Sequence, residues 1–88
     1  MHNHTDISRA IFTLLRRRSA DKSICPSEVA RSLAGDSEWR TLMPLVRATA
    51  RTLAKRGQIA ITQRGKAVDP DHFKGPIRIR LPIPDRSN

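Results

Sequence analysis

The chain has 88 residues, with 17 Lys and Arg against 8 Asp and Glu, a formal net charge of +9. That length holds one small domain and excludes the larger enzyme scaffolds, such as a dinucleotide-binding fold or a (β/α)₈ barrel. Leu, Ile, Val and Phe make 20 of the 88 residues, enough for a small core, and no apolar run approaches the roughly 18 residues of a membrane span.

The first six residues hold no apolar signal region, and the single cysteine, Cys25, cannot form an internal disulfide. Both features lead us to expect a cytoplasmic protein. We expect a disordered start over residues 1–4, one domain over 5–81 and a flexible tail over 82–88.

Residues 7–18 read as a first helix. Ile7, Ala10, Ile11, Leu14 and Leu15 recur at three- and four-residue steps and share one face. Thr5 or Asp6 is expected to cap its start, and Arg16, Arg17 and Arg18 suit its negative end. A polar connector over 20–23 leads to a very short strand at Ile24 and Cys25. Pro26 then opens a second helix, with Glu28 at the capping-box position and Cys25 in place of the usual Ser or Thr. This helix runs to about Leu33 and is expected to end at Gly35.

Trp39, the sole tryptophan, is expected to pack into the core. Pro44 disfavours helical geometry at Met43, so the third helix is placed from Pro44 to Arg56, with Gly57 as its stop. A single kinked helix from Ser37 onward is the alternative. After Gly57 the period changes: Ile59 and Ile61 alternate with Ala60 and Thr62 as in a strand. A turn at Gln63-Arg64-Gly65 and a return through Lys66, Ala67 and Val68 complete a hairpin. Asp69-Pro70-Asp71 breaks the chain again. Ile77, Ile79 and Leu81 then alternate with Arg78 and Arg80 as a further strand.

The charge is concentrated. The 30 residues from Trp39 to Val68 contain no acid and seven bases, Arg40, Arg47, Arg51, Lys55, Arg56, Arg64 and Lys66. The other 58 residues are nearly balanced, with 10 bases and 8 acids. On the third helix Val46, Thr49, Ala50 and Leu53 fall in a sector of about 100°. Arg47, Arg51 and Lys55 lie roughly opposite and span about 12 Å along the axis. No acid stands three or four residues from them on this helix, and like charges so spaced cost an isolated helix a few tenths of a kcal/mol. That pattern points to a polyanionic partner.

Cys25-Pro26-Ser27-Glu28-Val29-Ala30-Arg31-Ser32-Leu33 resembles the opening of the second helix in winged-helix regulators. Residues 45–57 look like the recognition helix of that family, and residues 59–68 look like its wing. The 39–59 stretch and the Gly75-Pro76-Ile77-Arg78-Ile79-Arg80-Leu81 ending are also similar to a small bacterial family of uncharacterised function. The resemblance implies an α+β winged helix-turn-helix, three helices followed by a small antiparallel β-hairpin. It also implies that Arg47, Arg51 and Lys55 meet a DNA groove or its phosphates, with Arg64 and Lys66 as wing contacts. Arg40 joins them as a nucleic-acid-binding candidate from the acid-free stretch. The helix carries no Asn or Gln to read adenine, and Pro44 stands where such readers commonly meet bases, so weakly specific binding is expected.

Other chemistries have little support. His2, His4, His72 and Cys25 are too scattered for a zinc site, so no metal or cofactor is expected. Asp69-Pro70-Asp71-His72 reads as a turn rather than a catalytic cluster. No phosphate loop, dinucleotide fingerprint or triad spacing is present, so the chain is not expected to be an enzyme. Phe12, Trp39 and Phe73 are too few for stacking-based single-strand binding. The expectation is a domain that binds double-stranded DNA, mainly through phosphates. The alternative is a winged-helix interaction module with an acidic protein partner.

Overall fold

The first helix begins before its apolar stripe does. In a computed structural model, which describes residues 2–18 and 22–82, α1 spans His4–Arg16. Asn3 caps it: its Oδ1 accepts from the Asp6 backbone N–H at 3.0 Å, and Asp6 Oδ2 accepts from the Asn3 N–H at 3.2 Å. This reciprocal pair satisfies two free donors. It replaces the Thr5 or Asp6 cap expected above and starts the helix inside the 1–4 segment expected to be loose. Ile7, Ile11 and Leu15 are its buried residues, four apart on one stripe.

The polar connector expected over 20–23 lies partly outside the described residues. β1, Ser23–Ile24, is followed at once by α2, Pro26–Lys55. Pro26 takes the first position of α2, and Cys25 is its N-cap without a side-chain capping bond. Glu28 does not close a capping box; it pairs with Arg18 at 2.8 Å and ties α2 to the end of α1.

Two helices are present where three were expected. The chain stays helical through Pro44, and the interruption falls at Gly35, whose φ of 74° and ψ of −174° are non-helical. Only glycine adopts that region readily. Gly35 divides α2 into an N-terminal arm, 26–34, and a C-terminal arm, 36–55. The rule that moves the residue before proline out of helical geometry is a bias that tertiary structure overrides here. Pro44 and Arg40 are both exposed, so water can take the bond that the missing Pro44 N–H leaves at the Arg40 carbonyl.

β2, Ala60–Gln63, and β3, Lys66–Ala67, form a hairpin. Its two-residue turn, Arg64 and Gly65, has positive φ at both positions, 54° and 81°, as a twisted tight hairpin requires. β4, Arg78–Arg80, inserts between β1 and β2, giving an antiparallel sheet of order β1-β4-β2-β3. Ile79 pairs with Ile24 on one side and Ile61 on the other. This row of three isoleucines is buried and belongs to the core shared with α1 and α2. Because strand side chains alternate, Arg78 and Arg80 fall on the opposite face of the sheet. There Arg78 Nε donates to Ser23 Oγ at 2.9 Å, and its Nη2 donates to the Ser23 carbonyl at 3.0 Å.

The core draws on both arms of α2: Val29 and Ala30 before Gly35, and Val46, Ala50 and Leu53 after it. Trp39 is only half-buried against this core, with the guanidinium groups of Arg31 and Arg40 each 4.6 Å from its ring centroid. Of the expected 82–88 tail, only Pro82 belongs to the described residues.

The position of the break has a stability signature. A Cβ at Gly35 meets nothing within 4 Å, so Gly35→Ala carries backbone strain alone and should cost about 1–3 kcal/mol. Pro44→Ala restores a helical N–H and should stabilise by up to about 3 kcal/mol. Urea unfolding of both variants checks this; a neutral Gly35→Ala with a destabilising Pro44→Ala would place the break at the proline instead.

Candidate nucleic-acid interface

The C-terminal arm of α2 turns Val46, Thr49, Ala50 and Leu53 into the core, and all four are buried. Its opposite flank carries Arg47, Arg51 and Lys55, where the sequence placed them. The segment between β2 and β4, residues 64–77, crosses this flank. Arg47 Nη2 donates to the Gly75 carbonyl at 3.1 Å, and Arg51 Nε donates to the Pro70 carbonyl at 2.9 Å. Phe73, half-buried, places its ring centroid 5.5 Å from the Arg47 guanidinium and 5.2 Å from that of Arg51. Lys55 Nζ pairs with Asp71 Oδ1 at 2.8 Å.

The acid-free stretch is therefore not acid-free in space, since Asp71 arrives from 16 positions down the chain and neutralises Lys55. Arg47 and Arg51 differ. Their partners are carbonyl oxygens and an aromatic ring, which hold a guanidinium in place without cancelling its charge. Only Nε of Arg51 is used by the crossing segment, so its two Nη groups keep their donors for a ligand.

The crossing segment is itself braced. Asp69 Oδ1 accepts from the Asp71 backbone N–H at 2.9 Å, and its Oδ2 lies 3.0 Å from His72 Nδ1. The backbone bond from Asp71 first, then the bond from His72, holds the Asp69 carboxyl below the usual carboxylate range. This is a turn, as the sequence indicated. Further on, Gln63 Nε2 donates to the Pro76 carbonyl at 3.0 Å and to the Lys74 carbonyl. Gln63, Arg64, Lys74 and Arg78 line one shallow groove with Pro76 and Ile77.

The structure thus links two sets of cations. Arg47, Arg51 and Lys55 are joined through residues 70–76 to the groove that contains Arg64. Lys66 stands beside Arg64 across the Gly65 turn, and both are exposed. Arg40 is not drawn into this network; its guanidinium lies on Trp39. Sequence reasoning missed Phe73, Asp71 and Lys74, because it treated 69–76 as a break in the pattern. One aromatic residue in an otherwise polar segment was the available signal that the segment docks.

Between the flanks of the C-terminal arm, Pro44, Ala48 and Thr52 lie near the outward line of the helix at about 100° per residue. Pro44 and Ala48 are exposed, and Thr52 Oγ1 bends back to donate to the Ala48 carbonyl at 3.2 Å. The outward ridge is therefore slim, with cations beside it.

Cys25 and the histidines have separate partners. Cys25 is half-buried and accepts a bond from the Ser27 hydroxyl at 3.1 Å. His4 Nδ1 lies 2.9 Å from Thr49 Oγ1, far along the chain from the Asp69–His72 pair. Among the described residues no three His, Cys, Asp or Glu side chains converge as metal ligands would, and no helix is long and apolar enough to cross a membrane.

A family model described as a protein of unknown function (DUF3253) matches residues 4–82. The chain belongs to this family. The DUF3253 match runs from the first residue of α1 past the end of β4, so it includes the crossing segment as well as the helices. No curated protein matches the chain.

The turn that braces the segment has a pH signature. Because the Asp69 carboxyl is held below its ordinary range, its stabilisation is full above the ordinary carboxylate pKa. It is lost as pH falls through the lowered folded value. The Asp71 amide should follow this titration in NMR spectra, and Asp69→Asn should leave that amide without the corresponding inflection.

Proposed function

We propose that this DUF3253 chain is a winged helix-turn-helix domain that binds double-stranded DNA chiefly through phosphates. The order of helix, short strand, helix arms and β-hairpin supports that assignment, as does the return strand β4 lying between β1 and β2. The observation that carries it is the slim ridge of Pro44, Ala48 and Thr52 beside Arg47 and Arg51, which are fixed by neutral partners. A major groove about 12 Å wide accepts such a helix face. Cations already ordered by the crossing segment lose less side-chain entropy on binding than free ones.

Roles follow from placement. Arg51, with both Nη groups available, reaches a phosphate or a guanine edge. Arg47 contributes charge from a half-buried position. Lys55 meets DNA only by exchanging Asp71 for a phosphate. Arg64 and Lys66 project from the hairpin turn as backbone contacts, with Lys74 beside Arg64. Arg64 has a positive φ of 54° without being glycine. Such strained positions often coincide with functional ones. Arg40 adds a cation about two turns earlier on α2.

A second reading, docking of an acidic protein, draws on the Lys55–Asp71 pair, since this face already accepts a carboxylate. The two readings separate in a salt-titrated assay. If about five phosphates are neutralised, log K should fall with log salt with a slope of about −4.5. Arg64→Glu with Lys66→Glu, at exposed turn positions, should weaken duplex binding and flatten that slope without lowering the melting temperature. Absence of duplex binding at low salt, with capture of one acidic protein, would replace the DNA reading by the second.

A further inference from the structure

The flank of the C-terminal arm of α2 that faces α1 carries a second cationic groove, which the reading above does not use. It is a cleft of about 630 Å³ between α1 and α2, within the usual range for small-ligand sites. Three arginines line it, Arg9 and Arg16 from α1 and Arg56 from the C-cap of α2. No Asp or Glu is among its lining residues. Among the described residues none of the three makes a side-chain hydrogen bond or ion pair, although Arg18, Arg47, Arg51 and Arg78 all do.

Arg16 and Arg56 stand at helix C-termini, where the helix dipole alone favours a cation. Arg9 stands mid-helix, three residues after Asp6, whose carboxylate is engaged by the Asn3 N–H. Arg9 and Arg16 are two turns apart, about 10 Å along the α1 axis, on the same side of the helix. Thr13 offers a hydroxyl donor between them, the Thr52 hydroxyl being committed to the Ala48 carbonyl, and Phe12, half-buried, supplies an apolar surface. Near the start of α1, the bond between Thr49 and His4 ties the two helices together along this cleft.

We propose that this groove binds a nucleotide phosphate. Guanidinium groups match phosphate oxygens with paired donors, and the Thr13 hydroxyl adds a further donor. The Phe12 surface takes the apolar part of a nucleotide, as a bare inorganic anion would not need. The phosphate has two possible sources, a free nucleotide or the backbone of a bound duplex. A duplex whose groove receives the Pro44–Thr52 ridge carries one backbone on each side of the helix, and this cleft lies on the side away from the crossing segment. The free-nucleotide source stands independently of the DNA reading; the duplex source rests on it.

The test uses the full chain and an Arg9→Ala, Arg56→Ala variant, both positions being exposed, with thermal melting as the folding control. Adenosine diphosphate is titrated into ¹⁵N-labelled protein, and a mixed-sequence duplex is titrated separately across a salt series. A free nucleotide is the source if the diphosphate shifts the amides of Arg9, Thr13, Thr52 and Arg56 and the variant weakens that binding tenfold or more. A duplex backbone is the source if the diphosphate gives no shift but the variant reduces the duplex salt slope by about two. The proposal is overturned if a folded variant changes neither titration, or if diphosphate shifts fall on residues 47–66 outside the cleft. Failure of the DNA reading, with no duplex binding by either protein, leaves the diphosphate titration to decide.

Discussion

The arrangement depends on one break in the backbone. A helix of 30 residues without interruption would be a rod about 45 Å long, with one apolar stripe and no means of folding back on a small core. At Gly35 the chain leaves helical geometry at a φ and ψ that other residues strain to adopt. Both arms of α2 then contribute to one core: Val29 and Ala30 from the first, Val46, Ala50 and Leu53 from the second. With its core side committed, the second arm can present only its outer ridge and two flanks. The position of every cation on it follows from that commitment.

Charge on such an arm has to be held without being cancelled. The crossing segment does this for Arg47 and Arg51 by offering carbonyl oxygens and the Phe73 ring. Asp71 does cancel a charge, at Lys55, but that pair is about half exposed and such pairs contribute little to stability. A phosphate can therefore displace the carboxylate at small cost, while the two arginines need no displacement. The same segment reaches Gln63, beside the hairpin turn, and so ties the flank of the helix to the hairpin.

Much of the fold was legible in the sequence. The four-residue spacing of Ile7, Ile11 and Leu15 gave α1, and the alternations of Ile59 with Ile61 and of Ile77 with Ile79 marked β2 and β4. These are local periodicities, and burial acts on them directly. The count of three helices came from ending the second at Gly35, whereas α2 resumes helical geometry directly after it. The C-terminal arm was started too late because Pro44 imposes a preference on its neighbour rather than a prohibition, and its exposed position made the lost bond inexpensive. The cap at Asn3 was missed because it precedes the first apolar residue by four positions. The crossing segment was not legible because its bonds join residues 19 and 28 positions apart, Arg51 to Pro70 and Arg47 to Gly75. No periodicity records such pairings. The cations of the candidate surface were visible as residues, but the partners that orient them were not.

The central claim is that orientation of the arginines, beyond the net charge of +9, makes this surface suited to a duplex. Phe73→Ala tests it directly, because it changes no charge and removes the ring that Arg47 and Arg51 share. Two partly exposed cation–aromatic contacts are worth about 1 kcal/mol together at the low end. Duplex affinity at fixed low salt, measured by fluorescence anisotropy on variant protein with an unaltered melting transition, should fall about fivefold. An affinity equal to that of the parent chain would show that net charge alone attracts the polyanion and would contradict the account.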